Sequence, residues 1–238
     1  MLGCSGTSGT IQPANTTAWF TSYGAFLAQL AQIASEEKSD ALIIGTELKS
    51  LSGAAYRDRW VDLIQNINQV YGGYTGYAAN WDEYRAVSFW DRVSFIGIEA
   101  YFPLSNDADP SLEELTRAWW DGNSSMSQGW LRQLSDWRQQ NFPSKSMFFT
   151  EVGYVSADYA TRRPWEYGSN CNFSGEHRPY NGELQAQAYR ALILVQDQHP
   201  TLDGIFWWNW EPKRISDASG DCSFPPQGKP AEIVLKEW

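Results

Sequence analysis

Histidine is nearly absent from this sequence. His177 and His199 are the only two in 238 residues and they sit apart, so a histidine-built metal site or a Ser-His-Asp triad has little material to work with. Cysteine is scarce too. Cys4, Cys171 and Cys222 are an odd number with no Cys-x-x-Cys spacing, which indicates neither a zinc site nor a complete disulfide framework and leaves a Cys171–Cys222 bridge open. No apolar run is long enough to span a membrane, and Met1-Leu-Gly-Cys4 lacks the charged and apolar regions of a signal peptide. Basic charge is in deficit: 18 Lys and Arg against 28 Asp and Glu give a formal charge of -10 and a pI near 4.7. That balance argues against a nucleic-acid partner or an anionic membrane surface, since both need clustered Lys and Arg. A neutral substrate fits better, and nothing calls for a cofactor. The oligomeric state is not legible.

Aromatic residues, by contrast, are abundant, with 13 Trp and 12 Tyr. Flat apolar faces with a polar edge suit sugar rings, which present C–H patches on a face and hydroxyls around the rim. The plainer reading makes many of them core anchors.

Short apolar runs alternate with segments of helical period, the pattern of repeated strand-helix units. The strand candidates are Ala41 to Glu47, Tyr74 to Asn80, Ser94 to Tyr101, Ser146 to Glu151 and Gly204 to Trp210. Helices are expected over Thr17 to Lys38, Tyr56 to Tyr71, Leu112 to Trp120, Met126 to Gln140 and Glu183 to Gln198. Near-continuous apolar strands separated by amphipathic helices predict an α/β fold with a parallel sheet, and closing such a sheet gives a (β/α) barrel. A closed barrel has eight strands, so five make it incomplete or make the fold an open layer. Arg162-Arg163-Pro164-Trp165 to Tyr180 is expected to be a long loop walling the cleft.

In parallel barrels the site lies at the C-terminal ends of the strands. Here the runs end on Glu47, Asn80-Trp81, Tyr101, Glu151 and Trp208-Asn209-Trp210. Simple turn chemistry would favour Gly, Asp, Asn and Pro instead. Two glutamates at strand ends on one rim are what a glycosidase needs, one to donate a proton to the leaving oxygen and one to attack the anomeric carbon or activate water. Glu99 shares its strand face with Tyr101 by period-two alternation and reads as a hydrogen-bonded support, not a proton donor.

Gly45-Thr-Glu-Leu-Lys-Ser50, Tyr77-Ala-Ala-Asn-Trp81, Phe95-Ile-Gly-Ile-Glu-Ala-Tyr-Phe-Pro-Leu104, Phe148-Phe-Thr-Glu-Val-Gly-Tyr154 and Phe206-Trp-Trp-Asn-Trp210 resemble, in order, the strand motifs of glycoside hydrolase family 113. That family belongs to clan A of retaining (β/α)8 glycosidases. The resemblance runs from about Gly9 to the C-terminus. It implies Glu47 as acid/base at the end of the fourth strand and Glu151 as nucleophile at the end of the seventh. Strands one and two, and most or all of three, are then missing, and residues 1–238 form a single partial barrel domain of strands four to eight. It further implies Tyr101 as the residue holding the nucleophile and Trp208 as an aromatic platform under the sugar, with Asn80, Trp81, Tyr154 and Trp210 along the rim. One departure stands out. The clan places Asn before the acid/base to bond the sugar 2-hydroxyl, and this chain has Thr46 there.

The expected activity is therefore retaining hydrolysis of a neutral β-linked polysaccharide, with β-1,4-mannan the substrate the resemblance implies. The expected setting is secreted or in the cell envelope. The alternatives are a non-catalytic carbohydrate-binding barrel, such as the glycosidase-like barrels of phage tails, or an inactive fragment of the enzyme.

Overall fold

The computed structural model describes residues 8–212, 218 and 220–238. Cys4 and most of the Asp217–Ser219 stretch lie outside them. In chain order the larger elements are α1 (Thr16–Glu36), β1 (Ala41–Thr46), α2 (Arg57–Val70), β2 (Tyr74–Asn80), β3 (Phe95–Glu99), α3 (Leu112–Trp119), α4 (Trp130–Asn141) and β4 (Ser146–Val152). After them come three two-residue strands, β5 (Gly168–Ser169), β6 (Asn172–Phe173) and β7 (Glu176–His177). The chain ends with α5 (Gly182–Gln198), β8 (Gly204–Trp207) and α6 (Pro230–Glu237). The sheet order β1-β2-β3-β4-β8 uses all five expected strands, and β1 with β2 and β2 with β3 pair in parallel.

Helix starts follow the capping chemistry. Asn15 accepts from the Ala18 amide at the head of α1, Ser111 and Glu114 close a capping box on α3, and Asn181 accepts from the Leu184 amide at the head of α5. The helix expected from Met126 begins only at Trp130. The Gly129 amide donates to the Trp120 carbonyl at 2.9 Å, and a Cβ at Gly129 would lie 2.2 Å from the backbone of Trp119 and Trp120. The chain must turn there before a helix can start. The segment from Arg162 to Tyr180 is not a plain loop, because β5, β6 and β7 form a small antiparallel sheet within it. α6 adds a helix beyond the five the sequence predicts.

The chain divides into two compact units, one holding residues up to Glu99 with Ser144–Thr150, the other Ala100–Pro143 with Glu151–Trp238. The core of the first is aromatic. Trp60, wholly buried, stacks on Phe89 at 4.5 Å between centroids and meets Phe20 and Tyr77 edge-on at 5.7 Å each. Gly45 in β1 makes room for this packing: a Cβ there would come within 3.1–3.2 Å of Tyr77, Leu48 and Trp60.

In the second unit Phe102 stacks on Trp130 at 5.0 Å, and Tyr189 of the largely buried α5 stacks on Trp207 at 4.2 Å. The buried Gln185 side chain donates to the carbonyls of Tyr154 and Phe224, both at 2.8 Å, tying α5 to two loops. Around β5–β7 the guanidinium of Arg178, 1% exposed, pairs with Glu166 at 2.5 Å and Glu176 at 3.1 Å and lies over the Phe173 ring. The bridge left open by the sequence is formed, with Cys171 and Cys222 disulfide-bonded across 51 positions of chain.

Two outcomes follow for stability. Arg178→Ala leaves Glu166 buried without its main partner and should cost about 3–5 kcal/mol in urea unfolding. Replacing both Cys171 and Cys222 with Ser should cost about 2–4 kcal/mol by the same measurement, and non-reducing peptide mapping should link the two cysteine peptides in the native protein.

Candidate active site

Glu47 follows directly on β1, in the first unit. The register of β1 on β2 slips between Ile43 and Thr46, so that three steps on β1 oppose two on β2. Such a bulge breaks period-two alternation and re-aims the side chains beyond it. Glu47 then takes a left-handed backbone, φ 52°, unusual for a residue with a side chain. Three hydrogen bonds hold this turn. The Glu47 amide donates to the Ala78 carbonyl at 2.8 Å, the Leu48 amide to the Tyr77 hydroxyl at 2.8 Å, and the Asn80 side-chain amide to Glu47 Oε1 at 2.6 Å. Glu47 and Asn80 are half-buried, as is Trp81, while Thr46 is exposed.

Behind them lies a carboxyl that sequence reasoning missed. Glu83, 1% exposed, accepts from the Tyr77 hydroxyl at 2.6 Å and from the Asn80 backbone amide at 3.1 Å. Its own amide donates to the Asn80 carbonyl at 2.8 Å, closing a turn over Asn80 to Glu83. Burial pushes the Glu83 carboxyl above the ordinary carboxylate range, against the pull of the hydrogen bonds from Ser52, Tyr77 and Asn80. Burial, reinforced by the neighbouring Glu83, also raises Tyr77 above the usual phenol range, so its hydroxyl keeps the proton it donates. The signal in the sequence was a Glu three residues after a strand-end Asn, which reads equally well as an exposed turn residue. Glu99, 2% exposed, accepts from the Thr150 hydroxyl at 2.8 Å.

Glu151 lies near the end of β4, half-buried, in the second unit. The Tyr101 hydroxyl donates to Glu151 Oε2 at 2.8 Å, and the Glu151 carbonyl accepts from the Ala100 amide at 2.7 Å. Two positions past β3 therefore meet one position on β4, although 50 residues separate Tyr101 from Glu151 in the chain. The Tyr101 ring also meets Phe224 edge-on at 6.3 Å.

β8 stops at Trp207, short of the expected Trp210, and the Trp208–Asn209 peptide is cis. The Trp208 amide donates to the Val152 carbonyl at 2.7 Å, which sets Trp208 next to the end of β4. Trp208 is half-exposed and Trp210 is 58% exposed. Tyr154 differs from its expected rim position. It is fully buried with its ring 6.3 Å from Tyr189, because Val152 to Ala157 run inward as a continuous buried stretch; it is a packing residue. Among the described residues no group of three His, Cys, Asp or Glu side chains could hold a metal ion, and no helix is long and apolar enough to cross a membrane.

The fold has clear relatives. Among solved structures, the family 113 β-mannanase of Alicyclobacillus acidocaldarius, in complex with ManMIm, superimposes with a TM-score of 0.74 at 24% identity, over 97% of this chain and 67% of that one. A second family 113 β-1,4-mannanase complex gives a TM-score of 0.74 at 20% identity, over 96% of this chain and 65% of that one. A β-glucuronidase from Ruminococcus gnavus gives 0.64 at 13% identity, over 95% and 37%. The chain thus spans about two thirds of the length of the two mannanases, and at these identities the likeness is one of fold. No curated protein matches the sequence. The profile of glycoside hydrolase family 113 matches residues 8–229, and the chain belongs to that family.

Proposed function

We propose that this chain is a retaining glycosidase of neutral β-linked polysaccharide, with β-1,4-mannan as substrate, Glu151 as nucleophile and Glu47 as acid/base. The observation that carries the reading is the hydrogen bond from Tyr101 to Glu151. A nucleophilic carboxylate must present one oxygen to the anomeric carbon along a narrow approach, and a buried phenol donating to Oε2 at 2.8 Å restricts its rotation. Asn80 does the equivalent for Glu47 through Oε1. In the first step Glu151 bonds to the anomeric carbon while the Glu47 proton passes to the departing glycosidic oxygen. In the second, water gives its proton to Glu47 and its oxygen to the anomeric carbon, releasing Glu151. The half-exposed Trp208 and exposed Trp210 offer ring faces to the sugar, and Trp81 lies beside Asn80. The net charge of -10 and the mannanase activity named for two structural relatives support a neutral mannan over a uronic-acid polymer.

In this reading the five-stranded sheet corresponds to strands four to eight of a barrel. Ile43 on β1 and Phe206 on β8, the two strands that end the sheet, are 40% and 62% exposed. Apolar edges of this kind suit a sheet that continues onto further strands.

Incubation with β-1,4-mannan should release oligosaccharides whose new reducing ends are initially β in proton NMR. Initial α products would require an inverting mechanism. Binding without turnover would make the chain a carbohydrate-binding barrel and overturn the enzyme reading. Glu151→Gln should lower kcat roughly a thousandfold or more. Tyr101→Phe should lower it roughly tenfold to a hundredfold with little change in KM, because the nucleophile is then present but poorly aimed.

A further inference from the structure

One buried carboxyl of the first unit, Glu83, has no part in the two-step scheme above. Glu83 is a carboxyl only 1% exposed, which is costly unless its oxygens find donors. Both do, and each donor leads back to Glu47. From Oε1 the path runs through the Tyr77 hydroxyl to the Leu48 amide, the peptide that follows Glu47. From Oε2 it runs through the Asn80 backbone amide to the Asn80 side chain, which donates to the Glu47 carboxylate. One arm holds the left-handed backbone at Glu47, and the other holds the amide that orients its carboxylate. Neither a Gln nor an apolar residue could replace this two-armed acceptor, since Gln offers a single acceptor oxygen and an amino group that would face one of the donors.

We infer that Glu83 is a positioning residue for proton transfer by Glu47, acting through Tyr77–Leu48 and through Asn80. The inference rests on the acid/base assignment of Glu47. A group that merely supports the fold would, when altered, weaken all substrates alike. One that places the proton donor matters only where the leaving oxygen needs a proton: a departing sugar alkoxide needs it, and 2,4-dinitrophenolate does not.

The test compares kcat/KM, which reports glycosyl transfer to Glu151, for an unactivated β-1,4-manno-oligosaccharide and for the 2,4-dinitrophenyl β-mannobioside. It uses the native chain, Glu47→Ala, Glu83→Gln and Tyr77→Phe. With the oligosaccharide, Glu83→Gln and Tyr77→Phe should fall roughly tenfold to a hundredfold. With the activated substrate both should stay within about threefold of the native chain. Glu47→Ala should show the same split, deeper. Equal losses on both substrates in the two positioning variants, or no loss on either, beside a clear split in Glu47→Ala, would overturn the inference while leaving the acid assignment standing. Absence of the split in Glu47→Ala itself would overturn the assignment and the inference with it. Thermal melting identifies a variant that does not fold; Tyr77→Phe, which cuts one arm and leaves Glu83 in place, decides the matter if Glu83→Gln is that variant.

Discussion

A carboxylate at the end of a buried strand has to be held by hydrogen-bond donors, because an unpaired charge there costs several kcal/mol and a freely rotating one has no defined direction. Much of the local architecture in this protein meets that requirement. Glu47 is aimed by a bulge and a left-handed turn, and held by Asn80 from the neighbouring strand. Glu151 is held by Tyr101, just past the strand that precedes β4 in the sheet. In each case the donor comes from the adjacent strand end, which parallel pairing brings to the same level as the carboxylate. Strand ends are where neighbouring side chains can serve one another without interrupting the ladder, a local reason why parallel α/β sheets in general carry their chemistry at the C-terminal ends of strands.

The rest of each unit stiffens that arrangement. Trp60, Phe89 and Tyr77 form a packed aromatic cluster whose Tyr77 hydroxyl accepts from the Leu48 amide, and Tyr77 belongs both to this cluster and to the hydrogen-bonded chain from Glu83. A polar network anchored in rigid rings has few alternative geometries, which is how packing becomes precision at a site. In the second unit, the loops that follow β4 are tied by the Cys171–Cys222 bridge, by the buried Arg178–Glu166 pair and by Gln185. These fixings hold a segment that leaves Tyr167 exposed.

The legible features were those with a local cause. Each expected strand is present, since runs such as Leu42-Ile-Ile and Ser146 to Phe149 are short and apolar and lie between longer segments of helical period. The boundaries of α1, α2, α3 and α5 came within two residues, because period and capping residues mark them. Where the expectation missed, the cause was distant in sequence. The start of α4 depends on Gly129 against Trp119 and Trp120, and the burial of Tyr154 on α5 passing behind it. The role of Glu83 depends on a phenol six residues earlier that points the same way only because a strand and a turn bring them together.

By itself the sequence determined the α/β class, the five strands and the two glutamates at strand ends, because hydrophobic period and residue type are properties of short segments. Only the tertiary structure decided how those glutamates are held: which of the rim aromatics are buried, that Asn80 serves Glu47, that Tyr101 serves Glu151, and that Glu83 stands behind the first pair. Those choices depend on strand register and on a one-residue bulge, and a shift of one residue along a strand turns every side chain to the other face.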